Sequence, residues 1–78
     1  MPRYHFHVLD HEVSVNLAIA ELDSFDEALE HAYRLAAELL SVDNKYSRDP
    51  EKWEISVTDQ DGNEVLSFPL SAVHPGNA

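Results

Sequence analysis

Ser24-Phe25-Asp26-Glu27-Ala28-Leu29-Glu30-His31-Ala32-Tyr33-Arg34-Leu35-Ala36-Ala37-Glu38-Leu39-Leu40 is the stretch on which the fold turns. Phe25, Ala28, Leu29, Ala32, Ala36 and Leu39 recur at helical spacing, flanked by Tyr33, Leu35 and Leu40. Asp26, Glu27, Glu30, Arg34 and Glu38 occupy the opposite side, with Glu30–Arg34 and Arg34–Glu38 set four apart as ion pairs. Ser24 is a good N-cap, and Glu27 three residues later completes a capping box. Ala28, Ala32 and Ala36 form a flat ridge on which a sheet can approach closely. Acidic residues gather at the start of this helix and Lys45 and Arg48 lie just past its end, as the helix dipole favours.

Outward from the helix, the N-terminal side reads as a hairpin. Tyr4, Phe6 and Val8 alternate with His5 and His7, the pattern of a half-buried strand. Asp10-His11 is a polar break, after which Val13, Val15, Leu17 and Ile19 resume the alternation, without the Asn-Gly or Asp-Gly pair that fixes the tightest turns. On the C-terminal side, residues 43–51 read as a polar loop. Trp53, Ile55 and Val57 then alternate with Glu54, Ser56 and Thr58. Asp59-Gln60-Asp61-Gly62-Asn63 is a hairpin turn with Gly62 suited to a left-handed position. Leu66 and Phe68 lead a fourth strand, and Pro69 limits its pairing afterwards.

The order predicts an α+β fold, ββαββ: a four-stranded, mainly antiparallel sheet with one helix packed on one face. If the hairpins join antiparallel, chain direction limits the strand order to 2-1-3-4 or 1-2-4-3. The first is favoured because Tyr4 and Phe6 suit the first strand to the centre. The uncovered face is then expected to carry His5, His7, Ser14, Asn16, Glu54, Ser56, Thr58, Val65 and Ser67, mostly polar as in one-sided sheets. Residues 1–70 make the single domain, and residues 71–78 are expected to be a flexible C-terminal tail.

Seventy-eight residues allow one domain and a core of modest size. The chain has no cysteine, so neither a disulfide nor a thiolate zinc site is available. The formal charge is −10, from fifteen carboxylates against five lysines and arginines. Arg3, Arg34, Lys45, Arg48 and Lys52 are scattered, whereas phosphate neutralisation needs clustered cations. Direct nucleic-acid binding and adhesion to anionic lipid are disfavoured. No stretch approaches the ~20 apolar residues of a membrane helix, and no secretory leader pattern is visible, so the expected location is cytoplasmic.

Met1-Pro2-Arg3-Tyr4-His5-Phe6-His7-Val8, Glu21-Leu22 before an Ala-rich helix, and Trp53-Glu54-Ile55-Ser56-Val57-Thr58-Asp59-Gln60-Asp61-Gly62 together resemble a family of short bacterial proteins, a domain of unknown function. Its members look like MPRYxFxVxD at the front and W-x-(I/V)-x-V-x-D-x-x-G near the end. The likeness runs from Pro2 to about Leu70. It departs where the family usually has a glycine-containing loop after the first strand, since Val13 to Ile19 is glycine-free here. The resemblance implies a bacterial, cytoplasmic, stand-alone domain, and brings no activity, cofactor or catalytic residue.

Three constellations bear on chemistry. His5, His7 and His11, joined by Glu54, are candidate metal ligands, because alternate residues of a strand project from one face with Cβ atoms roughly 7 Å apart. Zinc, nickel and copper all accept imidazole nitrogen. The competing reading is that these are ordinary polar occupants of an exposed sheet face, and it is the one preferred. Asp59-x-Asp61-Gly62-Asn63-Glu64 echoes the start of a calcium loop, but Leu70 stands at its twelfth position where a bidentate glutamate is required. No nucleophile sits in an elbow motif, and two glycines cannot build a phosphate loop. The expectation is a non-enzymatic small protein-interaction domain with no cofactor, whose partner is another protein or a second copy in a homo-oligomer. The alternative is a metal- or pH-responsive regulator using His5, His7 and His11.

Overall fold

β1 (Arg3–Leu9) forms because its alternation sends Phe6 and Val8 to one face, where both are fully buried. The structure, a computed structural model, describes residues 2–73. β2 (Ser14–Glu21), α1 (Phe25–Leu40), a short helix α2 (Lys45–Arg48), β3 (Glu54–Thr58), β4 (Glu64–Pro69) and a 3-10 turn (Leu70–Ala72) follow. The four strands make one antiparallel sheet in the order β2-β1-β3-β4, the favoured order of the two. The α+β reading and the ββαββ order hold, and α2 is an addition to them.

α1 lies across one face of the sheet. Ala28, Ala32 and Ala36 are completely buried against Phe6, Val8, Ile55 and Val57, so the alanine ridge is the contact line. Ser24 Oγ accepts the Glu27 N–H at 3.3 Å, the forward half of the expected cap. Of the two expected surface pairs, Glu30–Arg34 closes at 3.2 Å, and Arg34–Glu38 is not formed. Leu29 and Phe25 sit at the margin rather than in the core. Leu29 is half-buried and outside the buried cluster, and Phe25 is exposed. The alanines hold the central line of contact, and Leu35, Leu39 and Leu40 pack against the core beside it.

The segment 43–51 is more ordered than a polar loop. Asn44 caps α2 by accepting the N–H groups of Tyr46 and Ser47, and Ser47 Oγ accepts the Asn44 N–H in return. This turn lays Tyr46 edge-on against Trp53 at 4.9 Å, with Lys45 Nζ and Lys52 Nζ over the indole at 5.5 and 5.7 Å. Tyr46 therefore caps one end of the core. At the other end of the chain, Leu70 is buried, its N–H donates to the Trp53 carbonyl at 2.9 Å, and Val73 packs against the core. Of the expected tail from 71 onward, Ser71 and Ala72 continue the 3-10 turn, and residues 74–78 lie outside the described residues.

Two β-bulges set the faces. Phe6 pairs with Ala18 and His7 with Asn16, which leaves Leu17 as an extra residue in β2. Val57 pairs with Leu66 and Thr58 with Glu64, which leaves Val65 extra in β4. The first bulge corrects the simple alternation read for β2. Val15 stays on the helix side, but beyond the bulge Ala18 and Ala20 take the inner positions and Ile19 turns outward.

The β1–β2 turn is held by Asp10. Its Oδ1 accepts the N–H groups of Glu12 and Val13 at 2.8 and 2.7 Å, and Oδ2 lies 3.6 Å from Lys52 Nζ. These backbone donors, and then Lys52, hold the Asp10 carboxyl below its ordinary value of 3.8. A carboxyl depressed in the folded state adds stability that is present above the unfolded value and is lost as pH falls through the folded one. Asp10→Asn is therefore expected to lower the thermal midpoint at neutral pH, and the gap from the parent should close below pH about 4. Parallel melting curves from pH 7 to pH 2 measure this, and a gap that stayed constant over the range would show the carboxylate charge to be irrelevant.

Candidate functional site

The sheet has one covered face and one open face, and the molecule is a slab of 35 × 32 × 15 Å, one helix layer on one sheet layer. Among the described residues nothing covers the second face. Cross-strand pairing places the outward side chains in rows: His5 with Ile19 and Thr58, and His7 with Asn16 and Ser56. Leu9, Ser14, Glu54, Glu64 and Ser67 also take outer positions. The polar outer face expected from alternation is present, with Leu9 as a further member at the end of β1 and two changes made by the bulges: Ile19 is added, and Val65 becomes an unpaired bulge residue.

His5 and His7 stand side by side as successive outward residues of β1. Their ring centroids are 6.4 Å apart and the planes differ by 9°. His7 leans toward the His5–Thr58 row, and Thr58 Oγ1 lies 3.5 Å from His7 Nε2. The β3–β4 turn overhangs this spot. Gly62 takes φ +87°, the left-handed conformation expected for it. Asp59 Oδ1 accepts the N–H groups of Asp61 and Asn63 at 2.9 and 3.0 Å and fixes the turn's shape. Together His5, His7, Thr58 and residues 59–62 enclose an open concavity of about 350 Å³.

His11 and Glu54 do not join the pair. His11 is exposed in the turn beyond β1, held away by the Asp10 side-chain bonds, and Glu54 pairs across from Leu9 at the same far end. Among the described residues no three His, Asp or Glu side chains come together as metal ligands. The four-ligand set read from the sequence thus separates into a His5–His7 pair and two remote residues.

Ser56 is the outer residue that is buried, and its hydroxyl donates to Glu64 Oε2 at 3.2 Å across the β3–β4 pair. A smaller concavity, about 150 Å³, lies on the helix flank between Leu22, Glu27, Glu30, His31 and Arg34. His31 stacks tilted on Phe6 at 4.8 Å, so this histidine works as a partly buried packing residue. The contribution of Thr58 had no sequence signal beyond its position in an alternating strand. Its place beside His7 follows from the β1–β3 register, which joins residues about fifty apart in the chain.

The cations are mostly committed to neighbours. Arg3 faces Glu21 at 3.9 Å, Arg34 faces Glu30, Arg48 faces Asp43 at 2.9 Å, and Lys52 faces Asp10. The Arg48 guanidinium holds the Asp43 carboxyl below its usual range, and Asp43 raises Arg48 in return. No helix among the described residues is long and apolar enough to cross a membrane. A family model described as a domain of unknown function, DUF6894, matches residues 3–71. No curated protein and no solved structure matches the chain.

Proposed function

The chain belongs to the DUF6894 family, and within it we propose that this protein is a non-enzymatic, self-associating interaction domain of the bacterial cytoplasm. The contact surface is the open sheet face along β2 and the free edge of that strand. The observation that carries this reading is Ile19. The bulge at Leu17 turns this branched apolar side chain out of the core and leaves it 58 % exposed beside His5. Bulges that re-aim a side chain are features a fold retains for a purpose, and an isolated outward isoleucine on a polar face gains by being covered.

The edge supports the same reading. Between Glu12 and Glu21 the chain carries no charge, and β2 contains neither the lysine nor the proline that usually blunts an edge strand. β4, the opposite edge, is closed by its own bulge and by Pro69. A second copy fits β2 because the bulge puts Ser14 and Glu21 on the same face. An antiparallel β2–β2 pair that sets Ser14 against Glu21 therefore matches Asn16 with Ile19 outside and Val15 with Ala20 inside. Contact rather than catalysis suits an open face with a shallow hollow, and cations already facing carboxylates favour a protein partner over nucleic acid or anionic lipid.

Ile19→Lys tests this directly. The parent is expected to show a concentration-dependent mass above the 8.8 kDa of one chain in sedimentation equilibrium. Ile19→Lys should be a monomer that still unfolds cooperatively, because the side chain contributes little to the core, with a thermal midpoint that no longer rises with protein concentration. A parent that stayed at one chain's mass at the highest soluble concentration would end the self-association reading.

A further inference from the structure

We propose that His5 and His7 form a two-nitrogen chelate for a divalent late transition cation, of the copper, nickel and zinc class, on the open face of the sheet. The geometry is that of a half-formed site. The two rings are nearly parallel at 6.4 Å, side by side on one strand, with their edges in the same open concavity. A cation bound at about 2.0–2.1 Å to both nitrogens needs those nitrogens roughly 3 Å apart. Parallel rings reach that spacing by tilting toward each other, without any change in the strand.

Two neighbours favour the same position. Thr58 Oγ1 lies 3.5 Å from His7 Nε2, and by accepting from Nε2–H it would fix the tautomer that leaves the Nδ1 lone pair for the metal. Thr58 is a positioning residue here. The turn above the hollow brings the Asp59 and Asp61 side chains near its rim, so a divalent cation enters a region of negative potential on a chain of net charge −10. Imidazole selects the ion: magnesium and calcium prefer full oxygen shells, whereas copper, nickel and zinc bind nitrogen. Because no third protein ligand joins the pair among the described residues, the remaining positions on the metal are open to water or an exogenous donor. The site is accordingly a weak, exchangeable one, with copper held most tightly.

The test uses the full chain and simple metal salts. Substoichiometric Cu2+ in a two-dimensional NMR spectrum should broaden first the resonances of His5, His7, Thr58 and residues 59–62. Zn2+ and Ni2+ titrated by calorimetry should saturate near one ion per chain, while Mg2+ and Ca2+ should give no heat. Binding should be lost in His5→Ala and in His7→Ala, retained in His11→Ala and in His74→Ala, and weakened several-fold in Thr58→Val. Broadening centred on His11, His31 or His74 would overturn the assignment. So would binding that survives in either His5→Ala or His7→Ala, an equal response to Ca2+, or no response at millimolar metal. The copper map on the parent protein needs no variant, so a substitution that disturbs folding does not obscure the answer.

Discussion

Trp53→Ala is expected to remove a large part of the folding stability of this protein. Trp53 is only 5 % exposed and stands where three pieces of the chain meet. Tyr46 packs edge-on against the indole, Lys45 and Lys52 lie over it, and Leu70 closes the end of β4 on the Trp53 carbonyl. Truncating a buried tryptophan costs roughly 3–5 kcal/mol, from lost transfer energy and the cavity left behind. At ~0.05–0.15 kcal/mol per residue, a chain of this length holds only about 4–12 kcal/mol in total. Urea unfolding should show the transition midpoint falling by roughly a quarter or more, with no cooperative transition at all if the parent lies at the low end of that range. A variant melting at the parent's temperature would place Trp53 outside the core and remove Tyr46 and α2 from the account of stability.

Ala32→Asp should be equally severe, and it separates two accounts of α1. Ala32 is completely buried within the hydrophobic core cluster, on the face of α1 that meets the sheet. Burying an unpaired charge there costs several kcal/mol, and even the protonated acid is too large for the gap. Leu29→Asp, at a position that helical periodicity alone places in the core, should lower stability by only about 1 kcal/mol, the ordinary size for a half-buried site. The measurement is the difference in unfolding free energy between the two variants. If Leu29→Asp proved the more damaging, α1 would be rolled about its axis relative to the arrangement described, with its leucines rather than its alanines against the sheet.

That contrast shows what the sequence reveals and what it withholds. Alternation at Tyr4–Val8 and Trp53–Val57, the alanine spacing in α1 and Gly62 in its turn all act over a few residues, and each appears in the structure as expected. The strand order also follows, because chain direction leaves so few arrangements. The bulge at Leu17 does not show, since it is fixed by the register between two strands joined through Asp10 rather than through a two-residue turn of known geometry. One added residue reverses the face of everything after it, so Ile19 moves from core to surface although its alternation with Leu17 reads as perfect. α2 had a local signature, Asn44 and Ser47 three apart, which a polar composition masked. For the candidate site, the His5–His7 pair was legible from strand spacing. The separation of His11 and Glu54 and the arrival of Thr58 were not, because they depend on where strands end and on pairing across the whole chain.

The pairing of β1 with β3 has a consequence for how this molecule is made. Of the strands that pair, the two innermost are the farthest apart in synthesis: His5 meets Thr58, and Val8 meets Ile55. Until β3 has been made and is free to pair, the N-terminal hairpin has one flank of β1 unsatisfied and Phe6 and Val8 uncovered on its inner face. At ~5–20 residues added per second, that state lasts for seconds. The nascent chain spends this time as an unclosed half-sheet, and it can be sealed only when β3 emerges and slots in beside β1. It is at this stage, before completion, that the chain is most exposed to pairing with the wrong strand.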